Sequence, residues 1–254
     1  MIRRTIYILW RRQVKVFFGK KARVIGSLGQ PLLLFAALGL GLRGVFAAAG
    51  QGDSLVFLAA GIVAMTTMMS SVMGWVDVIW DKERGFMREV LASPSRRIWI
   101  MIGRMLGGAT AGVFQWVLVF VLALSIGVDR SLIVSIPLAL VYIVLIALMF
   151  TAFGLILWSL IHDFQVFQLL MNFLIMPLVF LSWAFYPLDT TGKFLQTIAL
   201  VNPLAYGVDG IRYALTGGGF FHRSVSLVVM TGLLALFVGA GAFFFARMRP
   251  DNNS

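Results

Sequence analysis

Cysteine is absent from the 254 residues, and histidine occurs only at His162 and His222. Without thiols the chain forms no disulfide, no thiolate nucleophile and no cysteine-ligated zinc or iron–sulfur site. Charged residues make up only 12% of the chain, against about 25% in a typical soluble domain. Because 60% of the residues are hydrophobic, so few charges cannot cover the core of a water-soluble domain. The scarcity of charge excludes a soluble globular domain and predicts a protein whose main solvent is lipid.

The short motifs of several enzyme classes are also missing. The chain contains no G-x-S-x-G nucleophile elbow, no H-E-x-x-H zinc motif and no G-x-x-x-x-G-K-[ST] phosphate loop. The two histidines fall in predicted loops on opposite sides of the membrane, so they cannot share a metal ion. We therefore expect no catalytic centre, metal or cofactor in this chain, and no nucleotide hydrolysis by it.

Six continuous apolar runs are long enough to cross a membrane. A spanning helix needs about 20 apolar residues, because the hydrocarbon layer is about 30 Å thick and a helix rises about 1.5 Å per residue. The predicted spans are 24–42, 54–76, 98–126, 132–161, 164–186 and 224–246. The sequence thus predicts an all-α integral membrane protein with an interface segment (1–23), a six-span transmembrane domain (24–246) and a tail (247–254).

Lysine and arginine are distributed unequally between the predicted sides. Of the 21, fifteen lie before the first span, between spans two and three, or in the tail, five lie on the opposite side, and Arg104 lies within a span. Cytoplasmic loops carry the basic excess in membrane proteins. Both termini are therefore predicted to be cytoplasmic, and the net charge of +11 requires no nucleic-acid partner.

The first 18 residues have a basic amphipathic pattern. The apolar positions, three or four residues apart, are Ile2, Ile6, Leu9 or Trp10, and Phe17. The basic positions on another side are Arg4, Arg11 and Lys15. This pattern predicts a helix in the headgroup layer with its basic groups on anionic membrane lipid; a solvated tail is the alternative.

Glycines in the third span form two overlapping small-xxx-small patterns, at Gly103, Gly107, Gly108 and Gly112. Glycine at this spacing lets helix backbones approach closely in lipid. Packing within the chain is the first interpretation, and a subunit contact or moving seam is the alternative. Arg104 lies among these glycines, where a charge either extends to the interface or makes an ion pair or substrate contact.

Other polar or adaptable side chains within the spans are candidates for a substrate path. Met69 belongs to a row of methionines in the second span, which indicates either ordinary packing or an adaptable surface. Gln168 and Asn172 share one face of the fifth span, ahead of a kink expected at Pro177. They either bond a neighbouring helix or line the path. The candidate path residues are Arg104, Gln168, Asn172 and Met69.

The loop between spans two and three, 77–97, combines charges of both signs with an apolar stripe. Four of the ten acidic residues lie there, at Asp77, Asp81, Glu83 and Glu89. Phe86 and Val90 are four residues apart, so they share a helix face, and Pro94 ends the segment. A simple connector needs neither feature, so the pattern predicts a docking element for a cytoplasmic protein.

Residues 80–94, WDKERGFMREVLASP, resemble the "charged, Gly, x, x, Glu, x, Leu, x, x, Pro" stretch of ABC-2-type permeases, the membrane subunits of bacterial ABC exporters. A second stretch is also similar: Pro177 to Pro187, then NPLAY at 202–206 and GIRY at 210–213. In that family this region closes the fifth span and forms short extracytoplasmic helices, here expected within 187–223. The six spans and the basic N-terminus also match, so the resemblance covers nearly the whole chain.

The resemblance implies a homodimer of permeases in the bacterial cytoplasmic (inner) membrane, each copy engaging a separate ABC ATPase subunit that binds ATP and Mg²⁺. The loop after the second span would be a coupling helix seated in that ATPase, and the His162–Asp163 turn a second contact. Absence of the importer loop favours export of an amphipathic or lipid-like substrate. The expected coupling residues are Asp81, Lys82, Glu83, Arg84, Gly85, Phe86 and Glu89.

Two other function classes remain open from the residues alone. A stand-alone secondary transporter or channel predicts internal repeats with paired broken helices, and no convincing repeat is visible. An integral membrane lipid-modifying enzyme requires acid pairs or histidine near the interface, and Asp77 with Asp81 is the only such pair at helical spacing.

Overall fold

The computed structural model describes residues 2–19, 29, 33–38, 41, 54–74, 97–125, 136–161, 163–186 and 192–247. These residues contain helices joined by turns, and no strand occurs among them. The helices are α1 (Ile2–Gly19), α2 (Ser54–Met73), α3 (Arg97–Ser125), α4 (Ile136–Leu160), α5 (Phe164–Phe180), α6 (Lys193–Val201), α7 (Pro203–Thr216) and α8 (Arg223–Arg247). The all-helical fold predicted from the apolar runs is confirmed.

Two of these helices are long and apolar enough to cross a membrane, within Ile136–Leu157 and Arg223–Phe244. Val56–Val72 and Gln165–Phe180 are shorter apolar helices. Helices also occupy the predicted second, third and fifth spans, whereas most of the predicted first span lies outside the described residues. The count of six spans stays a prediction.

The core lies where α2, α3, α4 and α7 pack together, with α8 against α4 and α7. Its largest fully buried side chains include Leu58 and Met68 of α2, Met101 of α3, and Tyr142 and Phe150 of α4. Met65 is buried as well, so packing explains the methionine row at both of these positions. In lipid such packing depends on dispersion and close backbone approach, because lipid tails are as apolar as the side chains.

The N-terminal helix packs along α3. Trp10 Nε1 donates a hydrogen bond to Thr110 Oγ1 at 2.9 Å, and the rings of Phe17 and Phe18 meet Phe114 edge to face. Residues later in α1 contact residues later in α3, so the two helices run side by side in the same direction. A helix forms over this segment as predicted, and α3 covers part of its apolar stripe. Its place in the headgroup layer stays a prediction.

Two of the third-span glycines make this approach possible. A Cβ added at Gly103 would lie 3.0 Å from the Ile6 carbonyl oxygen and from Leu9 Cβ. A Cβ at Gly107 would lie 2.5 Å from Gln13 Cβ. A Cβ at Gly107 would require Gln13 to move, and a Cβ at Gly103 would require α1 to give way by a few tenths of an ångström, so glycine at both positions lets α1 lie this near α3.

The other two glycines face the core helices. Gly108 meets Thr151 of α4, and Gly112 meets Thr67 of α2. Packing within the chain, the first interpretation of the small-xxx-small pattern, is therefore confirmed at all four glycines.

The fifth helix ends at Phe180, although the apolar run predicted a span to residue 186. Pro177 lies one turn before this end, and the chain then turns, with Trp183 in the left-handed region at φ 55°. That conformation is rare for a bulky residue. Hydropathy did not show the turn because residues 181–186 are themselves mostly apolar.

Two short helices, α6 and α7, follow this turn, as the resemblance led us to expect. Asn202 ends α6 and caps α7, accepting a hydrogen bond from the Leu204 N–H at 3.0 Å. Pro203 occupies the first position of α7, and Gly217 ends α7 in the left-handed conformation. Each of these residues is a strong local signal for its position. The side of the membrane on which they lie stays a prediction.

Candidate functional site

The polar residues of α2 mostly satisfy their own helix. Thr66 donates to the Val63 carbonyl, and Ser70 and Ser71 donate to the Thr67 carbonyl. Met69 beside them is half-buried against the core. This face of α2 is therefore a packed helix surface.

Arg104 is enclosed by the bundle. It lies on α3 one turn before Gly108, and only 4% of its surface is exposed. A side chain that extended to the interface would keep its charged end in water, so that interpretation is wrong. An ion pair or a substrate contact remains as the role expected for a charge at this depth.

Gln168 and Asn172 lie on the outward face of α5. Both are exposed, and they share that face with Leu169 and Phe173, the latter 78% exposed. Arg104 points into the core and these amides point out of it. The predicted path residues therefore do not line one path within a single chain.

A buried arginine joins three parts of the bundle. Arg212 of α7 is 7% exposed, and its Nη2 donates to the Trp183 carbonyl oxygen at 3.2 Å. Its guanidinium carbon lies 3.4 Å from the centre of the Phe57 ring of α2. A planar cation stacks well on an aromatic face, and lysine cannot reproduce that contact. Arg212 thus links α7 to α2 and to the turn after α5.

A buried carboxylate one turn away holds the loop between α7 and α8. Asp209 is 1% exposed, and its two oxygens accept the N–H groups of Phe220 at 2.8 Å and Phe221 at 3.2 Å. Burial raises the pKa of Asp209, while the two backbone hydrogen bonds and nearby Arg212 lower it in part. Because both carboxylate oxygens are bonded, the loop is held against α7 at two successive residues.

The turn after α5 is fixed from several directions. Trp183 Nε1 donates to the Ala205 carbonyl at 3.2 Å, and Asn202 Nδ2 donates to the Leu178 carbonyl at 2.7 Å. These bonds satisfy buried groups near the end of α5, where the helix leaves carbonyls without helical partners. We call Trp183, Asn202, Asp209 and Arg212 the α7 cluster.

Glycines allow the surrounding helices to close on the α7 cluster. A Cβ at Gly61 of α2 would overlap the carbonyl oxygen of Ala184, and one at Gly210 of α7 would overlap the ring of Tyr142. The α7 cluster is therefore a rigid junction of α2, α4, α7, α8 and the turn after α5. Its side chains bond backbone groups of α5, of the turn after α5, of α7 and of the loop before α8, which indicates a structural junction.

Sequence reasoning missed most of the α7 cluster. Arg212 entered only as part of the GIRY stretch and as a charge on the opposite side, and Asp209 not at all. One signal was available: two opposite charges three residues apart in an otherwise apolar helix. Such isolated charges are expensive to bury unless partners are provided.

Comparison with known proteins decides the family. The sequence model of the ABC-2 type transporter family matches residues 4–216. The chain belongs to this family. The match includes α1, the glycine-rich α3 and the whole α7 cluster, and it confirms the resemblance noted in the sequence.

Similar proteins include two nodulation proteins and a transport permease. Nodulation protein J of Rhizobium leguminosarum bv. trifolii is 27% identical over 234 residues, covering 91% of this chain and 85% of that protein. Nodulation protein J of Rhizobium meliloti strain 1021 is 27% identical over 219 residues, covering 84% and 82%. The inner membrane transport permease YadH of Escherichia coli strain K12 is 27% identical over 188 residues, covering 72% and 70%.

These findings establish a membrane protein of a transport family. ABC-2 permeases are not a catalytic family, and the family implies an ABC ATPase as partner. The coupling residues expected at 81–89 lie outside the described residues, as does His162. Asp163, its neighbour, caps the start of α5 by accepting the N–H groups of Gln165 and Val166.

Proposed function

We propose that this chain is the permease subunit of an ATP-driven ABC exporter. Its substrate is amphipathic or lipid-like, such as a drug, lipid or glycolipid, and moves out of the cytoplasm or inner leaflet. Two copies form the path, which alternates between inward and outward access while ATP and Mg²⁺ are bound by a separate ATPase. The family match and the relatives named as transport permeases support this proposal.

The observation that carries the proposal is the uncovered face of α5. Gln168 and Asn172 lie exposed on an apolar helix of a membrane protein. An amide without hydrogen-bond partners in hydrocarbon costs several kcal/mol. Contact with a second copy of the chain would remove that cost, and so would a hydrated substrate path. If the path runs between two permeases, the second copy and the path meet the same face of α5.

Crosslinking tests the pairing directly. The chain contains no cysteine, so Phe173→Cys introduces a single reactive site on the α5 face. We expect a disulfide-linked or bismaleimide-linked dimer in membranes. Leu236→Cys on α8 is a matched control, because Leu236 is likewise exposed, at 62%, but lies on another helix. Equal crosslinking at both positions, or none at Phe173→Cys, contradicts a path between two α5 helices.

The coupling role of the loop at 77–97 is tested by charge reversal. Glu89→Lys should abolish transport by the assembled complex while leaving the chain inserted in the membrane. Asp189→Lys makes the same charge change in a segment predicted on the opposite side and should retain transport. Crosslinks placed at Phe86 should capture the ATPase. Normal transport by Glu89→Lys in an intact complex would refute this assignment.

A further inference from the structure

The face of α1 that α3 leaves uncovered carries an open groove of about 340 Å³. Its lining is Tyr7, Ile8, Arg11, Arg12, Lys15 and Val16. These residues form two adjacent rows at helical spacing of four, one with Tyr7, Arg11 and Lys15 and the other with Ile8, Arg12 and Val16. The groove therefore offers three cations and a phenol beside two aliphatic side chains.

No acidic residue on α1 balances the positive charge of this groove. α1 contains five basic residues and no acidic one. Like charges four residues apart destabilise a helix slightly, and Arg11 and Lys15 stand in that relation, both exposed. An anionic group bound between them would remove this repulsion and gain charge-assisted hydrogen bonds.

The position of the groove selects the kind of anion. α3 has 29 residues, which corresponds to about 43 Å and exceeds the hydrocarbon layer by about 13 Å. It begins at Arg97, whereas its last turns are apolar, so the beginning is the end that extends beyond hydrocarbon. α1 contacts α3 from Gly103 to Phe114, and Gln13 meets Gly107, about 15 Å from the beginning of α3. The middle of the groove therefore lies near the boundary between lipid headgroups and hydrocarbon.

We propose that this groove binds the headgroup of an acidic phospholipid. The phosphate lies between Arg11 and Lys15 with Arg12 beside it, the Tyr7 hydroxyl donates to a headgroup oxygen, and Val16, the deeper of the two aliphatic residues, contacts the first acyl carbons. The lipid holds α1 beside α3 from the outside, while Gly103 and Gly107 hold it from the inside. This inference rests on the chain's place in a membrane and not on the exporter cycle, so either can fail alone.

Lipid titration of the purified full chain tests the site. Native mass spectrometry would count the molecules of phosphatidylglycerol, phosphatidylcholine or inorganic phosphate retained at equal concentrations. The double variant Arg11→Gln with Lys15→Gln removes two charges from the groove, and glutamine is a good helix former. The matched control, Arg3→Gln with Arg4→Gln, removes two charges from the same helix outside the groove lining.

We expect phosphatidylglycerol to bind to the wild type and the control, and about tenfold or more weakly to the groove variant. Equal weakening in both variants would show general electrostatic attraction and overturn the site. Equal retention of phosphatidylcholine, or binding of inorganic phosphate as tight as that of the lipid, would overturn the lipid assignment. Unchanged binding of phosphatidylglycerol by the groove variant would overturn the site.

Discussion

Gly61→Ala is the sharpest single test of the junction around the α7 cluster. Gly61 lies mid-way along α2, against the turn that follows α5. The added Cβ would overlap the Ala184 carbonyl oxygen and lie 2.6 Å from its carbonyl carbon and 2.8 Å from its Cα. These are backbone atoms, so no side-chain rotation relieves the overlap. The neighbouring Trp183 is held by its bonds to Ala205 and Arg212, so the turn cannot easily move away.

The expected cost follows from this geometry. Overpacking in a core typically costs about 1–3 kcal/mol, and a clash with fixed backbone belongs at the upper end of that range. At about 2–4 °C per kcal/mol for a chain of this size, about 3 kcal/mol corresponds to a fall in Tm of roughly 6–12 °C. The assay is thermal unfolding of the purified full chain in one detergent.

The matched control is Gly232→Ala on α8. Its Cβ would meet no heavy atom within 4 Å, and alanine is favoured over glycine within a helix by up to about 1 kcal/mol. The control should therefore unfold at the wild-type temperature or above it. If Gly61→Ala and Gly232→Ala unfold at the same temperature, α2 does not lie against the turn after α5, and the junction around the α7 cluster is refuted.

Three further outcomes are expected. Burial raises the pKa of Asp209 above its ordinary value of 3.8, so its contribution to stability is fully present below that value and is lost as pH rises through the raised pKa. Thermal unfolding from about pH 4 to pH 7 should show this loss in the wild type and not in Asp209→Asn. Equal slopes of Tm against pH for the two proteins would contradict it. Arg212→Lys keeps the charge but loses the planar stack on Phe57, so it should lower stability by about 1–3 kcal/mol; an unchanged Tm would contradict the stack. Trp10→Cys paired with Thr110→Cys should be joined within the chain by a short bismaleimide crosslinker, because the two side chains meet across α1 and α3; the crosslink is detected as a shift in gel migration, and its absence would contradict the packing of α1 on α3.

The helices themselves were readable from the sequence to within a few residues. The fourth run predicted residues 132–161 and α4 spans Ile136–Leu160, and the sixth predicted 224–246 where α8 spans Arg223–Arg247. This agreement has a physical basis, since a helix satisfies its backbone hydrogen bonds internally wherever lipid offers none. The glycine pattern of α3 was readable as a close contact between helices, although the sequence left open whether the partner helix lay within the chain.

The candidate site was less readable. Gln168 and Asn172 were recognised as a shared face, but only packing could show that this face is uncovered. Arg104 was ambiguous because burial depends on the neighbours of α3, which hydropathy does not report. Asp209 and Arg212 acquire partners from residues 11 or more positions away, so no local pattern could assign them.

Sequence alone determined that this chain is helical, that it is a membrane protein and that it belongs to a permease family. It also showed at which positions glycine allows close packing. Each of these properties follows from local composition, periodicity or direct similarity. Tertiary structure decided that α1 packs on α3, that α5 stops at Phe180, and that a buried aspartate and arginine join the helices at α7. Those outcomes depend on which distant backbone groups meet, because a buried charge is tolerated only where the fold brings partners to it.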